Sequence, residues 1–241
     1  MRFFILAFYF SVASGFLAAQ STQGLKQAGG FLYYDTILNN PTGIKDLPLI
    51  VAFHYSSSNP KEAITEYDSV KMPVRIIAPQ GNFRKREGYT YFPSDYYSLD
   101  STAQMRISKT YVDSIAIFLK AIIKKYKRKP IVAGFSQGGD ISFLLGIFYP
   151  DLVKAAFPLA GFVHRQRFDE VKKHSQKTVP IYIFQGEDDK IVSVNYSRKE
   201  VLELNSHFNI SIKTYSGLGH DFSPQMKRDY AIQMTEQLKR K

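Results

Sequence analysis

One short stretch constrains this chain more than any other: Gly134-Phe135-Ser136-Gln137-Gly138-Gly139. An apolar run, Pro130-Ile131-Val132-Ala133, precedes it, and a longer run, Asp140 to Tyr149, follows. The first has the length of a buried strand and the second that of a helix. Between them lies the pattern G-x-S-x-G. A serine on a tight strand-to-helix turn lifts its hydroxyl off the sheet in a strained backbone conformation. Glycines two before and two after it leave space that a Cβ would fill. The new helix turns free N–H groups and its positive end toward any charge developing beside the serine. The plainer reading is a glycine-rich turn. What separates the two is whether an acid and a histidine follow, each at the end of a strand.

The rest of the chain alternates in the way such a turn requires. Strands are expected over Phe31–Leu38, Leu47–Phe53, Pro73–Ala78, Ile131–Phe135, Ala155–Gly161, Pro180–Gly186 and Ile210–Tyr215. The run Leu47–Phe53 is apolar throughout, as in a strand buried on both faces. Asn59-Pro60 opens a helix through about Ser69, with Asn59 as N-cap and Pro60 in the first helical position. From Gln104 to Lys127, Val112, Ile115, Leu119, Ile122 and Tyr126 recur every three or four residues, which makes an amphipathic helix. Val194–Phe208 reads as another, and Ser223-Pro224 starts the last. Residues 80–99 read as a long loop rich in Tyr and Phe. Such alternation implies an α/β chain, with one mostly parallel sheet covered by helices on both faces. Sites in such sheets lie at the carboxyl ends of the strands. His54, Ser136, the Glu187–Asp189 stretch and His220 each fall just after a predicted strand.

The 241 residues fit a single domain over residues 31–241, and a hydrophobic content of 44% with 22% charged residues suits an ordinary core. There is no cysteine, which excludes disulfides, cysteine nucleophiles and thiolate metal sites. Met1-Arg2, an apolar run from Phe3 and small residues up to Ala19 have the pattern of a secretory signal peptide over residues 1–19. An exported protein, periplasmic or extracellular, is the expectation. Residues 20–30 read as a flexible lead-in. Net charge is +11, carried by scattered runs such as Arg84-Lys85-Arg86, Lys124 to Lys129 and Lys239-Arg240-Lys241. Solvated helix ends account for most of these, and no nucleic-acid motif gathers them. In an exported chain the charge also favours attraction to anionic envelope polymers.

A serine hydroxyl is a weak nucleophile and needs a base within hydrogen-bond reach. His220, after the last strand and before the last helix, is the candidate. A carboxylate must orient the imidazole, and Glu187, Asp188 and Asp189 are offered by one turn. No HExxH or other metal-ligand spacing occurs, and no cofactor is called for. His54 ends a buried strand and is expected to brace the loop that follows.

With these residues in place, the chain resembles α/β-hydrolases of the phospholipase/carboxylesterase family, the group containing acyl-protein thioesterases. It is similar also to secreted esterases of the feruloyl-esterase and polyhydroxyalkanoate-depolymerase type. Gly134 to Gly139 is similar to that family's G-F-S-Q-G-G, Gly186-x-x-Asp189-x-x-Val192 to its acid motif, and Gly219-His220 to its histidine motif. Ala78-Pro79-Gln80 and Gly88-Tyr89-Thr90-Tyr91-Phe92 look like its substrate-loop elements. The resemblance implies an α/β-hydrolase fold without a large lid, and a triad of Ser136, Asp189 and His220. It implies an oxyanion hole from the backbone N–H groups of Ser56 and Gln137, with Tyr55 as an alternative donor. Tyr89, Tyr91, Phe92 and Phe162 are expected to line the substrate site. The family usually carries His-Gly where this chain has His54-Tyr55, and a tyrosine there replaces a permissive glycine. The implied activity is hydrolysis of a carboxylic ester, free or attached to a polymer, through an acyl-enzyme. A peptidase or thioesterase on the same triad is the enzymatic alternative, and a hydrolase-fold binding protein the non-catalytic one.

Overall fold

The computed structural model describes residues 24–40, 42–161 and 174–240. The expected signal peptide, residues 1–19, and Phe162 lie outside them. In chain order the described elements are β1 (Lys26–Ala28), β2 (Phe31–Leu38), β3 (Leu49–Phe53), α1 (Pro60–Thr65), β4 (Val74–Pro79), β5 (Phe83–Lys85), β6 (Gly88–Thr90) and α2 (Ser101–Tyr126). There follow β7 (Ile131–Phe135), α3 (Gln137–Phe148), β8 (Ala155–Leu159), β9 (Gln176–Gly186), α4 (Val194–Leu204), β10 (Phe208–Tyr215) and α5 (Pro224–Lys239).

Eight strands form one sheet in the order β1-β2-β4-β3-β7-β8-β9-β10. From β4 to β10 every pairing is parallel, while β1 and β2 run antiparallel at one edge. Every residue of β3 is buried, because its alternate side chains enter two cores. Leu49, Val51 and Phe53 pack with Val112, Ile115 and Leu119 of α2 and with Ile141 and Leu144 of α3. Ile50 and Ala52 pack with Ala63 of α1 and with Met226, Tyr230 and Met234 of α5. Helix α3 is buried on all sides, which explains why its sequence is apolar all round rather than in a stripe.

The caps follow the sequence closely. Asn59 Oδ1 accepts the N–H groups of Lys61 and Glu62, with Pro60 in the first turn of α1. Ser223 Oγ caps α5 through the Met226 N–H. Several local expectations differ from the structure, among them the helix expected over Val194–Phe208, which ends at Leu204 so that Phe208 opens β10. The lead-in is not all irregular, since Lys26–Ala28 joins the sheet by a hairpin through Gly29 and Gly30, both at positive φ. The loop over 80–99 contains the antiparallel hairpin β5–β6. Helix α1 ends at Thr65, short of Ser69. No helix among the described residues is long and apolar enough to cross a membrane.

Candidate active site

Ser136 stands between β7 and α3 with φ 54° and ψ −115°. A non-glycine residue at positive φ carries strain that surrounding contacts must hold. Its N–H donates to Leu159 O at 2.9 Å, and its carbonyl accepts from Asp140 N at 3.0 Å. The neighbouring glycines are dictated by close approach: a Cβ on Gly138 would lie 2.1 Å from Phe53 O. The start of α3 is thus pressed against the end of β3. That contact brings the serine turn and the His54–Ser58 loop together.

The acid and the histidine are assembled by a second close approach. A Cβ on Gly186 would lie 2.1 Å from Leu218 O and 2.3 Å from Gly219 O, so the loop after β9 rests directly on the loop after β10. Asp189 Oδ1 accepts from the N–H groups of Ile191 and Val192, each at 2.8 Å. Its Oδ2 faces His220 Nδ1 at 2.8 Å. A carboxylate can only accept, so Nδ1 carries a proton, and in the neutral ring Nε2 keeps its lone pair. The Asp189 side chain is buried while that of His220 is 19% exposed. The imidazole lies 4.9 Å, centroid to centroid, from the ring of Phe135, the residue preceding Ser136. Phe222 packs on the same ring at 4.4 Å. Of the two other acids in the turn, Glu187 is committed elsewhere: it pairs with Arg198 and accepts from Thr214 Oγ1 at 2.8 Å.

The opposite wall is the loop after β3. His54 is fully buried; its Nδ1 donates to Tyr55 O at 2.7 Å and its Nε2 accepts from Gly81 N at 3.0 Å. Burial lowers its pKa to about 4, so the ring is neutral and acts as a brace, as the sequence suggested. The positive φ of this loop falls at Ser57, at 74°, and not at Tyr55. A tyrosine is therefore tolerated where a glycine is usual. Tyr55 sets its ring edge-on to Phe135 at 6.1 Å and donates its hydroxyl to Glu62 Oε2 at 3.2 Å. The N–H groups of Ser57 and Ser58 go to Tyr89 O and Tyr55 O.

Gln137 has a role that the sequence did not reveal. Its side-chain Oε1 accepts from Thr90 Oγ1 and Tyr91 N, both at 2.9 Å, and its Nε2 donates to Tyr97 Oη at 3.1 Å. The residue after the serine thus ties the β6 strand and the following loop to the turn. Tyr97 is 46% exposed, and the aromatic content of 83–97 was the only signal for it. The expectation that Tyr91 and Phe92 line a substrate site fails. Their exposures are 1% and 0%; Tyr91 donates its hydroxyl to Pro79 O and stacks on His54, and Phe92 packs on Tyr96. They hold the site from behind. Tyr89 is half-buried at the rim, with the Arg84 guanidinium 4.9 Å from its ring centroid. Among the described residues no cluster of His, Asp or Glu is arranged to hold a metal ion.

Comparison with known proteins agrees with this architecture. An esterase named PE8 superposes with a TM-score of 0.72 at 18% identity, over 85% of this chain and 98% of the esterase. A carboxylesterase from Mesorhizobium loti superposes with a TM-score of 0.71 at 15% identity, over 88% and 99%. Identities this low speak for the fold alone, the α/β-hydrolase fold. In sequence, acyl-protein thioesterase 1 of Kluyveromyces lactis is 25% identical over 114 residues, 45% of this chain and 50% of that protein. Acyl-protein thioesterase 1 of Mycosarcoma maydis is 30% identical over 108 residues, 42% and 45%. The chain spans about half the length of the curated relatives it matches. The family model described as phospholipase/carboxylesterase matches residues 84–233, a span that includes Ser136, Asp189 and His220 and more than half of the sequence. The chain belongs to the phospholipase/carboxylesterase family.

Proposed function

We propose that this chain is an exported serine hydrolase that cleaves carboxylic esters through Ser136, His220 and Asp189. The observation that carries the reading is the 2.8 Å contact of His220 Nδ1 with a buried, backbone-held Asp189, the imidazole lying against Phe135, whose next residue is a serine at φ 54°. In this reading His220 Nε2 takes the Ser136 proton as Oγ attacks the ester carbonyl. Asp189 fixes the tautomer and stabilises the imidazolium that forms. The tetrahedral oxyanion is held by the N–H of Gln137, which as the first residue of α3 has no intrahelical partner. The second donor is the N–H of Ser56 or Tyr55, since those of Ser57 and Ser58 have other acceptors. His220 then protonates the leaving alcohol, and water cleaves the acyl-enzyme by the same roles reversed. Export rests on the N-terminal sequence pattern. A thioesterase acting on the same triad is favoured by the names of the matched relatives.

Turnover of 4-nitrophenyl acetate and of an acyl thioester by the purified chain, with Ser136→Ala alongside, tests the reading. Ester hydrolysis that falls by about 10³-fold or more in the variant is expected. Thioester turnover far exceeding ester turnover would move the assignment to the second reading, and equal rates in both proteins would sink both.

A further inference from the structure

The run Arg84-Lys85-Arg86 is not at a helix end. It forms the first strand and turn of the β5–β6 hairpin, which docks on the loop after β3 through Ser57 N to Tyr89 O at 2.9 Å and Tyr89 N to Ser58 O at 2.8 Å. Arg84 turns to the Tyr89 ring. Lys85 turns inward: its Nζ donates to Ser56 Oγ at 2.8 Å and sits 5.4 Å from the Tyr97 ring centroid. Tyr97 in turn accepts from the side chain of Gln137, the residue next to Ser136. An ammonium group therefore stands between Ser56 of the proposed oxyanion loop and Tyr97, the ring whose hydroxyl the Gln137 side chain holds.

Lys85 is not among the cations that are paired with an acid, and like Lys125 and Lys154 it has only neutral acceptors. Lys26 and Arg75 share Asp35, Lys109 meets Asp113, Arg128 meets Asp46, Arg198 meets Glu187 and Lys213 meets Asp229. Among the described residues no carboxylate lies within ion-pair distance of Lys85. Burial and the nearby Arg86 lower its pKa; an anion beside it would relieve both. A half-buried, uncompensated ammonium with one neutral acceptor is an incomplete site.

We infer that Lys85, with the Ser56 hydroxyl and Tyr97, binds an anionic group of the substrate, so that the preferred esters carry a carboxylate near the scissile bond. The inference rests on the esterase reading above and adds the substrate class to it. The carboxylate completes the charge-assisted hydrogen bond that the hairpin leaves open. The alternative is that Lys85 only braces the hairpin against Ser56.

Two ester pairs separate these. In 4-nitrophenyl succinate and 4-nitrophenyl butyrate the acyl half differs in charge; in 3-acetoxybenzoate and phenyl acetate the leaving group does. The quantity read is the ratio of kcat/KM, anionic over neutral, within each pair. In Lys85→Met the ratio should fall by about tenfold in one pair, and Lys85→Arg should retain most of it. The pair that responds identifies which half of the ester carries the carboxylate. An unchanged ratio in both pairs, or an equal loss for charged and neutral esters, overturns the proposal and leaves the brace. If the wild-type chain turns over none of the four in a Ser136-dependent way, the esterase reading fails first and the proposal falls with it.

Discussion

At the scale of single residues, the site depends on a carboxylate and an amide whose hydrogen bonds fix their neighbours. Asp189 receives two N–H groups on one oxygen and His220 on the other. Asp189→Asn keeps the volume but presents an amide to His220 and favours the wrong tautomer. It should lower kcat by about 10⁴-fold while circular dichroism stays native; a loss under tenfold would remove Asp189 from the mechanism. Gln137→Ala leaves Thr90 Oγ1 and the Tyr91 N–H buried without an acceptor. Urea unfolding should show a loss of about 2–3 kcal/mol, with the Gln137 N–H still present. Ser136 and His220 stand out in the sequence because the proposed chemistry demands a fixed residue type and order. The Gln137 side chain does not, because its partners Thr90 and Tyr91 lie 47 and 46 residues away in sequence and are set by tertiary docking. Tyr91 and Phe92 misled for a related reason. Aromatic content marks a loop rich in rings, but not which rings turn inward; the stacking of Tyr91 on His54 decides that.

At the scale of elements, the strands and long helices were legible because each is buried on a regular period. Leu49–Phe53 is apolar at every position and occupies the sheet centre, and α2 shows its stripe. Elements that owe their form to a neighbour were not read. β1 is polar and largely exposed, and it is a strand only through pairing with β2; the Gly29-Gly30 pair was the available hairpin signal. The start of β9, Gln176 to Val179, became strand through the Gln176–Phe208 register with β10. Between elements, Gly186 is the point where the acid loop meets the histidine loop. Gly186→Ala places a Cβ within 2.1 Å of Leu218 O and must push the two loops apart. We expect at least a 10²-fold fall in kcat/KM, since a displacement near 1 Å suffices for that, accompanied by a lower melting temperature. Wild-type activity in this variant would show that the two loops are not held in this contact.

At the scale of the whole molecule, charge and burial shape stability as well as chemistry. Some basic groups serve the framework: Arg128 forks onto Asp46, and Lys154 donates to the Leu238 and Arg240 carbonyls at the end of α5. Among the acids, Glu66 is one that burial perturbs strongly. Its Oε2 is buried without a partner, and burial raises its pKa to about 8, opposed by Lys227 and reinforced by Glu62. The folded chain keeps this proton up to about pH 8, whereas the unfolded chain releases it near 4.5. The associated stability is complete below that lower value and is lost as pH rises through about 8. His54 acts oppositely, because its pKa is depressed to about 4 from 6.5; its contribution is present above 6.5 and lost as pH falls through about 4. Between pH 6.5 and 8.5, where His54 is silent, wild-type stability should fall by about 2 kcal/mol through Glu66. Glu66→Gln should flatten that slope in denaturant titrations; an unaltered slope would show that Glu66 is ionised in the folded chain at neutral pH.

The central claim is that Ser136 is a nucleophile activated by His220 and Asp189. Intact-mass analysis after exposure to a fluorophosphonate tests it most directly, because the probe reports the activated hydroxyl whatever the natural ester. The account predicts a single adduct on the peptide containing Ser136. It predicts no adduct in Ser136→Ala and a labelling rate in Asp189→Asn reduced by orders of magnitude. An adduct on another residue, or labelling of Ser136→Ala at the wild-type rate, would contradict it.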